Sequence, residues 1–170
     1  MINVFYEFNY KINRNSYLLL AGDGPERNKV EQHVASIGLS DKVLFLGNVK
    51  DVRPLLTASD LTVIASNLIE TFSIAMLESM SMATPVISTD IGGHREAINK
   101  ENGALVGIGD NAGFLNAMEQ LLEDRSRLKQ MGANARRTVE TKFSQYSMVK
   151  KTENVVVEAW QEGRRFRAQG

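Results

Sequence analysis

Cysteine is absent from this chain of 170 residues, and histidine occurs only twice. The first absence excludes disulfides, thiolate nucleophiles and thiolate zinc sites together. His33 and His94 stand too far apart in sequence to suggest a histidine metal cluster, so no metal site is expected. Neither sign of charge is in excess: 20 Lys and Arg balance 20 Asp and Glu, which argues against nucleic acid as a partner. No apolar run approaches the length of a membrane span, and no charged leader with an apolar core is visible at the N-terminus, so a cytoplasmic protein is expected. Chemistry must come from carboxylates, hydroxyls, backbone amides and basic side chains.

What is present is an alternation of apolar runs with segments of helical period. Tyr17 to Ala21 reads as a buried strand followed by the turn Gly22-Asp23-Gly24-Pro25. Val30, Val34 and Ile37 then give a helix one apolar face, with Gly38 placed to stop it. Val43 to Leu46 is the next strand, Gly47-Asn48 the next turn, and Val52, Leu55 and Leu56 the face of a short helix. A third unit runs from Leu61 to Ala65 into a helix around Glu78. A fourth runs from Val86 to Thr89 through Gly92-Gly93 to His94–Ile98, and Ala104 to Val106 is the last strand. Repeated crossovers of this length imply a parallel sheet covered on both faces. Beyond it the chain reads as helix only. Asp110 and Asp124 serve as caps, and Ser144 opens a third helix whose face of Met148, Thr152, Val155, Val156, Ala159 and Trp160 runs into a frayed, basic tail. The expected division is residues 1–147 as one lobe and residues 148–170 as C-terminal helix and tail.

The candidate site lies in the third unit. Seven residues separate Glu70 from Glu78 in Glu70-Thr71-Phe72-Ser73-Ile74-Ala75-Met76-Leu77-Glu78, between two apolar strands. In an open parallel sheet the loops after the carboxyl ends of strands line the ligand crevice. Glu70 should therefore face a ligand, with Glu78 about two turns along the following helix. Paired carboxylates suit hydroxyl donors, and the free amides of Phe72, Ser73 and Ile74 at the helix start suit a phosphate. His94 is weighed evenly between a capping or exposed residue and a ligand contact. Lys50 and Arg53 read as solvated charges within reach of a phosphate at the same mouth.

Leu18 to Pro25, Val43 to Gly47, Ala58 to Leu61, Glu70 to Met80, Thr84 to Ile87, and Gly92-Gly93 with Glu96 together resemble the C-terminal, nucleotide-sugar-binding lobe of retaining glycosyltransferases of family 4 with the GT-B fold. The likeness runs from about Met1 to about Ser147. It implies an α/β fold with a doubly wound, Rossmann-like parallel sheet and a helical C-terminal region. It also implies a UDP-, GDP- or ADP-sugar as donor substrate, with no other cofactor and no metal. By the same resemblance Glu70 contacts sugar hydroxyls near the reacting carbon, and Glu78 contacts the ribose. Phe72 and Ser73 offer amides to sugar or diphosphate, Gly22 and Gly24 allow close approach of a loop, and Gly47-Asn48 borders the base.

Two departures stand out. Thr71 and Ser73 occupy positions where the family usually has glycine, so their hydroxyls are expected to cap the helix or touch a phosphate. The family's acceptor lobe, and the strand and basic pair that open its donor lobe, have no counterpart in this sequence, and Lys11 and Arg14 come too late to replace the pair. In the doubly wound order that strand is central. Its lack should leave two inner edges unpaired, force them together, or draw Asn3 to Phe8 out of a helix to fill the gap; a helix is favoured. An isolated chain of this kind is expected to bind donor weakly, to transfer nothing, and to self-associate through its edges. The acceptor is unspecified, and the resemblance leaves room for peripheral membrane association through the acceptor lobe. Three other readings compete: a non-catalytic nucleotide-sugar-binding or subunit-interaction module, a sugar-nucleotide epimerase, and a signalling receiver built on Asp60 and Asp90.

Overall fold

A computed structural model describes residues 1–67 and 70–168, with side chains as far as Arg164. Helix α1 (Ile2–Lys11) is followed by β1 (Leu18–Ala21), α2 (Arg27–Ser36), β2 (Val43–Gly47) and α3 (Arg53–Ala58). Then come β3 (Thr62–Ile64), α4 (Ile74–Ser81), β4 (Val86–Thr89), α5 (His94–Ala97) and β5 (Gly103–Val106), and finally α6 (Asn111–Glu123), α7 (Arg125–Lys142) and α8 (Gln145–Ala168). All strand pairs are parallel, each joined by a helical crossover, as the alternation of apolar runs requires.

The strands form two ladders. β1 pairs with β2 from Leu18 opposite Val43, and β4 lies between β3 and β5, with Ile87 opposite Val63 on one side and Ala104 on the other. No ladder joins β1 to β3 among the described residues, so the inner edges are neither paired with each other nor filled by the N-terminal segment. That segment is the helix α1.

Burial follows from this arrangement. β4, paired on both sides, is buried at all four positions, whereas Leu18, Leu19 and Leu20 of β1 are only half-buried. Tyr17, expected in a buried strand, precedes β1 and is exposed. The expectation of burial fails there because an edge strand keeps one side open to water. Val4, Phe5 and Phe8 of α1 share one apolar core with Val43 of β2, Ile87 of β4, Val106 of β5, and Phe114, Met118 and Leu121 of α6. This shared core, to which α1 belongs, spans both ladders. A second core unites Met76 and Met80 of α4 with Val86, Ala97, Ile98 and Ala135.

The capping readings hold. Asp110 accepts from the Gly113 amide at 2.8 Å, Asp124 from Ser126 and Arg127 at 2.9 and 3.0 Å, and Ser144 from Ser147 at 3.2 Å. Gly38 sits just past α2 at φ +73°, where a side chain would be strained. The C-terminal region departs from expectation: α8 continues through the segment read as frayed, and Met148, Val155, Val156 and Trp160 are exposed rather than turned onto the lobe. The side chains from Arg165 onward lie outside the described residues. No helix among those described is long and apolar enough to cross a membrane.

Candidate functional site

Each candidate residue occupies the carboxyl end of a parallel strand or the helix that follows. Ala21, the last residue of β1, leads into Gly22 at φ +124°, and β2 ends on Gly47 at φ +62°. The Gly22 amide donates to the Gly47 carbonyl at 2.7 Å, tying the two strand ends together. Gly24 has open space where a side chain would stand. Asn48 follows in the adjoining turn. Arg27, at the start of α2, borders this end of the sheet: it pairs with Glu31 at 2.7 Å and lies over the Phe45 ring at 5.8 Å from its centroid.

β3 leads to Glu70, whose carboxylate is 29% exposed. Its Oε2 accepts a hydrogen bond from the Ser66 hydroxyl at 2.8 Å. α4 begins at Ile74 with Ser73 as its cap, two residues later than a start at Phe72, because the Ser73 hydroxyl accepts from the Met76 amide at 3.3 Å. The Ser73 side chain is buried and committed to that cap, which leaves Thr71, exposed, as the free hydroxyl of the pair. The amides of Phe72, Ser73 and Ile74 have no backbone acceptor among the described residues, so the positive end of the helix dipole keeps donors unspent. Glu78 lies just over one turn into α4 rather than two. It is exposed, and its carboxylate has no ion-pair partner among the described residues.

The loop carrying Glu70 rests on the Gly92-Gly93 turn. The Gly93 amide donates to the Thr71 carbonyl at 2.8 Å, and a side chain at Gly92 would collide with the Glu70 carbonyl. One at Gly93 would stand 2.8 Å from the Phe72 ring. The double glycine is thus required by the close approach of two backbones. The Phe72 ring in turn packs on Phe143 at a centroid distance of 5.3 Å.

His94, weighed evenly between a capping or exposed residue and a ligand contact, is wholly buried. Its Nδ1 lies 2.7 Å from Ser88 Oγ and 3.0 Å from the Thr89 carbonyl, and its Nε2 faces Oε2 of Glu70 at 3.6 Å. Sequence reasoning passed over Ser88, Thr89 and Ser66. The available signal was polar residues, Ser88 and Thr89, closing an otherwise apolar strand, since buried hydroxyls must find a partner.

Arg53, Lys11 and Arg14 each have a partner of their own. Arg53 grips Asp51 through two hydrogen bonds of 2.8 Å, and that guanidinium holds the Asp51 carboxyl down to about 2. Lys11 pairs with Glu7 at 2.9 Å, and Arg14 lies over Tyr10. Asp60 and Asp90 are bound separately by Arg125 and Arg95, each at 2.8 Å, so they form no shared acidic pocket. The hydrogen bonds of the described residues therefore assemble two groups, Gly22 with Gly47, and Glu70–Ser73 with Gly92–His94.

Known proteins share this sequence and fold. The chain is 37% identical over 139 residues to N-acetyl-alpha-D-glucosaminyl L-malate synthase of Bacillus anthracis, covering 81% of this chain and 36% of that protein. It is 37% identical over 129 residues to the lipopolysaccharide core biosynthesis glycosyltransferase LpsE of Rhizobium meliloti, covering 75% and 38%. The Anabaena protein Alr3699/HepE, solved in complex with UDP-glucose, superposes with a TM-score of 0.82 at 23% identity, over 92% of this chain and 44% of that one, and shares the fold. The chain spans little more than a third of the length of the curated relatives it matches. Residues 1–138 match the sequence model of the glycosyl transferases group 1, and with these relatives and the GT-B fold they make the chain a member of that family.

Proposed function

We propose that the chain is the donor-binding part of a glycosyltransferase that moves a sugar from a nucleoside diphosphate sugar to an acceptor hydroxyl with retention of configuration, in polysaccharide or glycolipid synthesis. The observation that carries this reading is the pair Glu70 and Glu78, two carboxylates with no Lys or Arg partner among the described residues, on either side of the capped start of α4 with its unspent amides. Glu70 accepts sugar hydroxyls, Glu78 accepts ribose hydroxyls, and the amides of Phe72, Ser73 and Ile74 receive the diphosphate. Thr71 adds a hydroxyl at the same rim, while Gly22, Gly24, Gly47 and Asn48 supply a low wall for the base. In the transfer, the bond from the sugar carbon to the diphosphate oxygen breaks, and the acceptor oxygen bonds to that carbon on the same face. The acceptor proton passes to the departing diphosphate. Charge grows on the leaving group, where helix-start donors stabilise it best. The supporting family relationship includes a relative named for lipopolysaccharide core biosynthesis.

A second reading is a nucleotide-sugar-binding module that does not itself transfer. Calorimetric titration with UDP, GDP, ADP and their glucose conjugates tests both. One nucleotide series is expected to bind, and the double substitution Glu70→Ala and Glu78→Ala is expected to weaken it by about 1–3 kcal/mol, the scale for removing partners of desolvated polar groups. Glu78→Ala alone should weaken the bare nucleoside diphosphate, whereas Glu70→Ala should weaken only the sugar conjugate. A folded chain that binds none of the series overturns the donor reading.

A further inference from the structure

The buried histidine beside Glu70 is unused in the reading above. The carbonyl of Thr89, 3.0 Å from Nδ1 of His94, can only accept a hydrogen bond. The tautomer that satisfies this carbonyl carries its hydrogen on Nδ1. Ser88 Oγ, at 2.7 Å, accepts from the same N–H and turns its own hydrogen toward the Thr89 carbonyl at 3.3 Å. With Nδ1 so occupied, Nε2 of a neutral ring presents a bare lone pair. That atom is buried and has no hydrogen-bond partner among the described residues, and it faces Oε2 of Glu70 at 3.6 Å.

Two acceptors facing each other repel, and an orphaned buried nitrogen is costly. One proton between them turns the repulsion into a charge-assisted hydrogen bond. A separation of 3.6 Å exceeds hydrogen-bond length, yet such contacts commonly lie long in unliganded sites and tighten when the ligand arrives. The other charged groups on the surrounding turns have separate engagements or separate positions: Asp90 at the end of β4 is paired with Arg95, and Glu96 lies on α5 itself. Glu70 is the charged group that faces Nε2.

The structure assigns His94 as a positioning residue for Glu70, holding a proton on Nε2 against Oε2 so that the opposite carboxylate oxygen, Oε1, is presented to the ligand. Ser66 fixes the same oxygen from the strand side, so Oε2 is gripped twice while Oε1 has no partner among the described residues. This rests on the reading of Glu70 as the group that accepts donor-sugar hydroxyls.

The test exploits the two histidines of the chain, with His33 as internal control. Nitrogen-15 spectra of both imidazoles are recorded for the folded protein and for Glu70→Gln at about pH 6.5, where an ordinary imidazole is half protonated. In the unsubstituted chain His94 is expected to carry hydrogen on both nitrogens. In Glu70→Gln its Nε2 should move to the bare-nitrogen range, with Nδ1 still protonated and His33 unmoved. A neutral His94 protonated on Nε2 alone, or an Nε2 signal indifferent to Glu70→Gln, overturns the assignment. Titration of the same samples with UDP-, GDP- and ADP-glucose separates the two readings. A His94 that answers to Glu70 in a chain that binds none of them sustains the proton link and overturns donor binding instead. If a donor does bind, His94→Leu should weaken it about tenfold, and His94→Gln, which restores an N–H of similar reach, should recover most of that loss; equal losses in both overturn the positioning role.

Discussion

Gly92 carries more of the site than its lack of a side chain suggests. At φ +53° it sits where an L side chain is strained, and a methyl group there would collide with the Glu70 carbonyl, a backbone atom with no rotamer to give way. Gly92→Ala is expected to destabilise the protein by about 1–3 kcal/mol, the cost of overpacking, and to displace Glu70. Gly24→Ala, at a position with open space and no positive φ, should stay within about 0.5 kcal/mol of the parent. Urea denaturation of the two variants checks the contrast, and equal stabilities would count against the close-approach account. The double glycine was legible as a motif, but its reason was not: only the folded backbone shows that the turn after β4 supports the loop after β3. The burial of His94 was hidden for the same cause. A histidine after two glycines has no neighbours in sequence to mark it as buried, and the hydroxyl and carbonyl that receive it come from the end of β4.

Among the elements, α4 joins site to core. Its inward face, Met76 and Met80, is fully buried, while Glu78 on the outer face stays in water. Ser73 decides where the helix starts. Ser73→Ala should cost about 1 kcal/mol through loss of the cap, read as a lower midpoint in urea, and it should leave the Phe72 and Ile74 amides less well fixed. No change in midpoint would show that tertiary packing alone holds the start. Strands, helices and most caps were legible because apolar period and capping chemistry are local. Burial was less so: β1 and β4 read alike as apolar runs, and what separates them is the number of neighbours each strand has. The outer position of α8 was hidden because its Val, Met and Trp residues follow a helical period whether or not anything covers them.

At the scale of the molecule, the two ladders leave β1 and β3 each with one edge unpaired among the described residues. Unpaired strand edges are templates for further pairing. Sedimentation velocity over a concentration series is expected to show reversible association of this chain, and a single monomeric species at every concentration would count against it. What joins the ladders within one molecule is of another kind. A ladder locks strands residue by residue, with directional bonds that make any slip costly, whereas packed side chains have no such teeth. Val4, Phe5 and Phe8 on α1 belong to the packed cluster that draws residues from both plates, so the relative seating of the glycine end of one plate and the glutamate end of the other depends on side-chain fit rather than on a ladder.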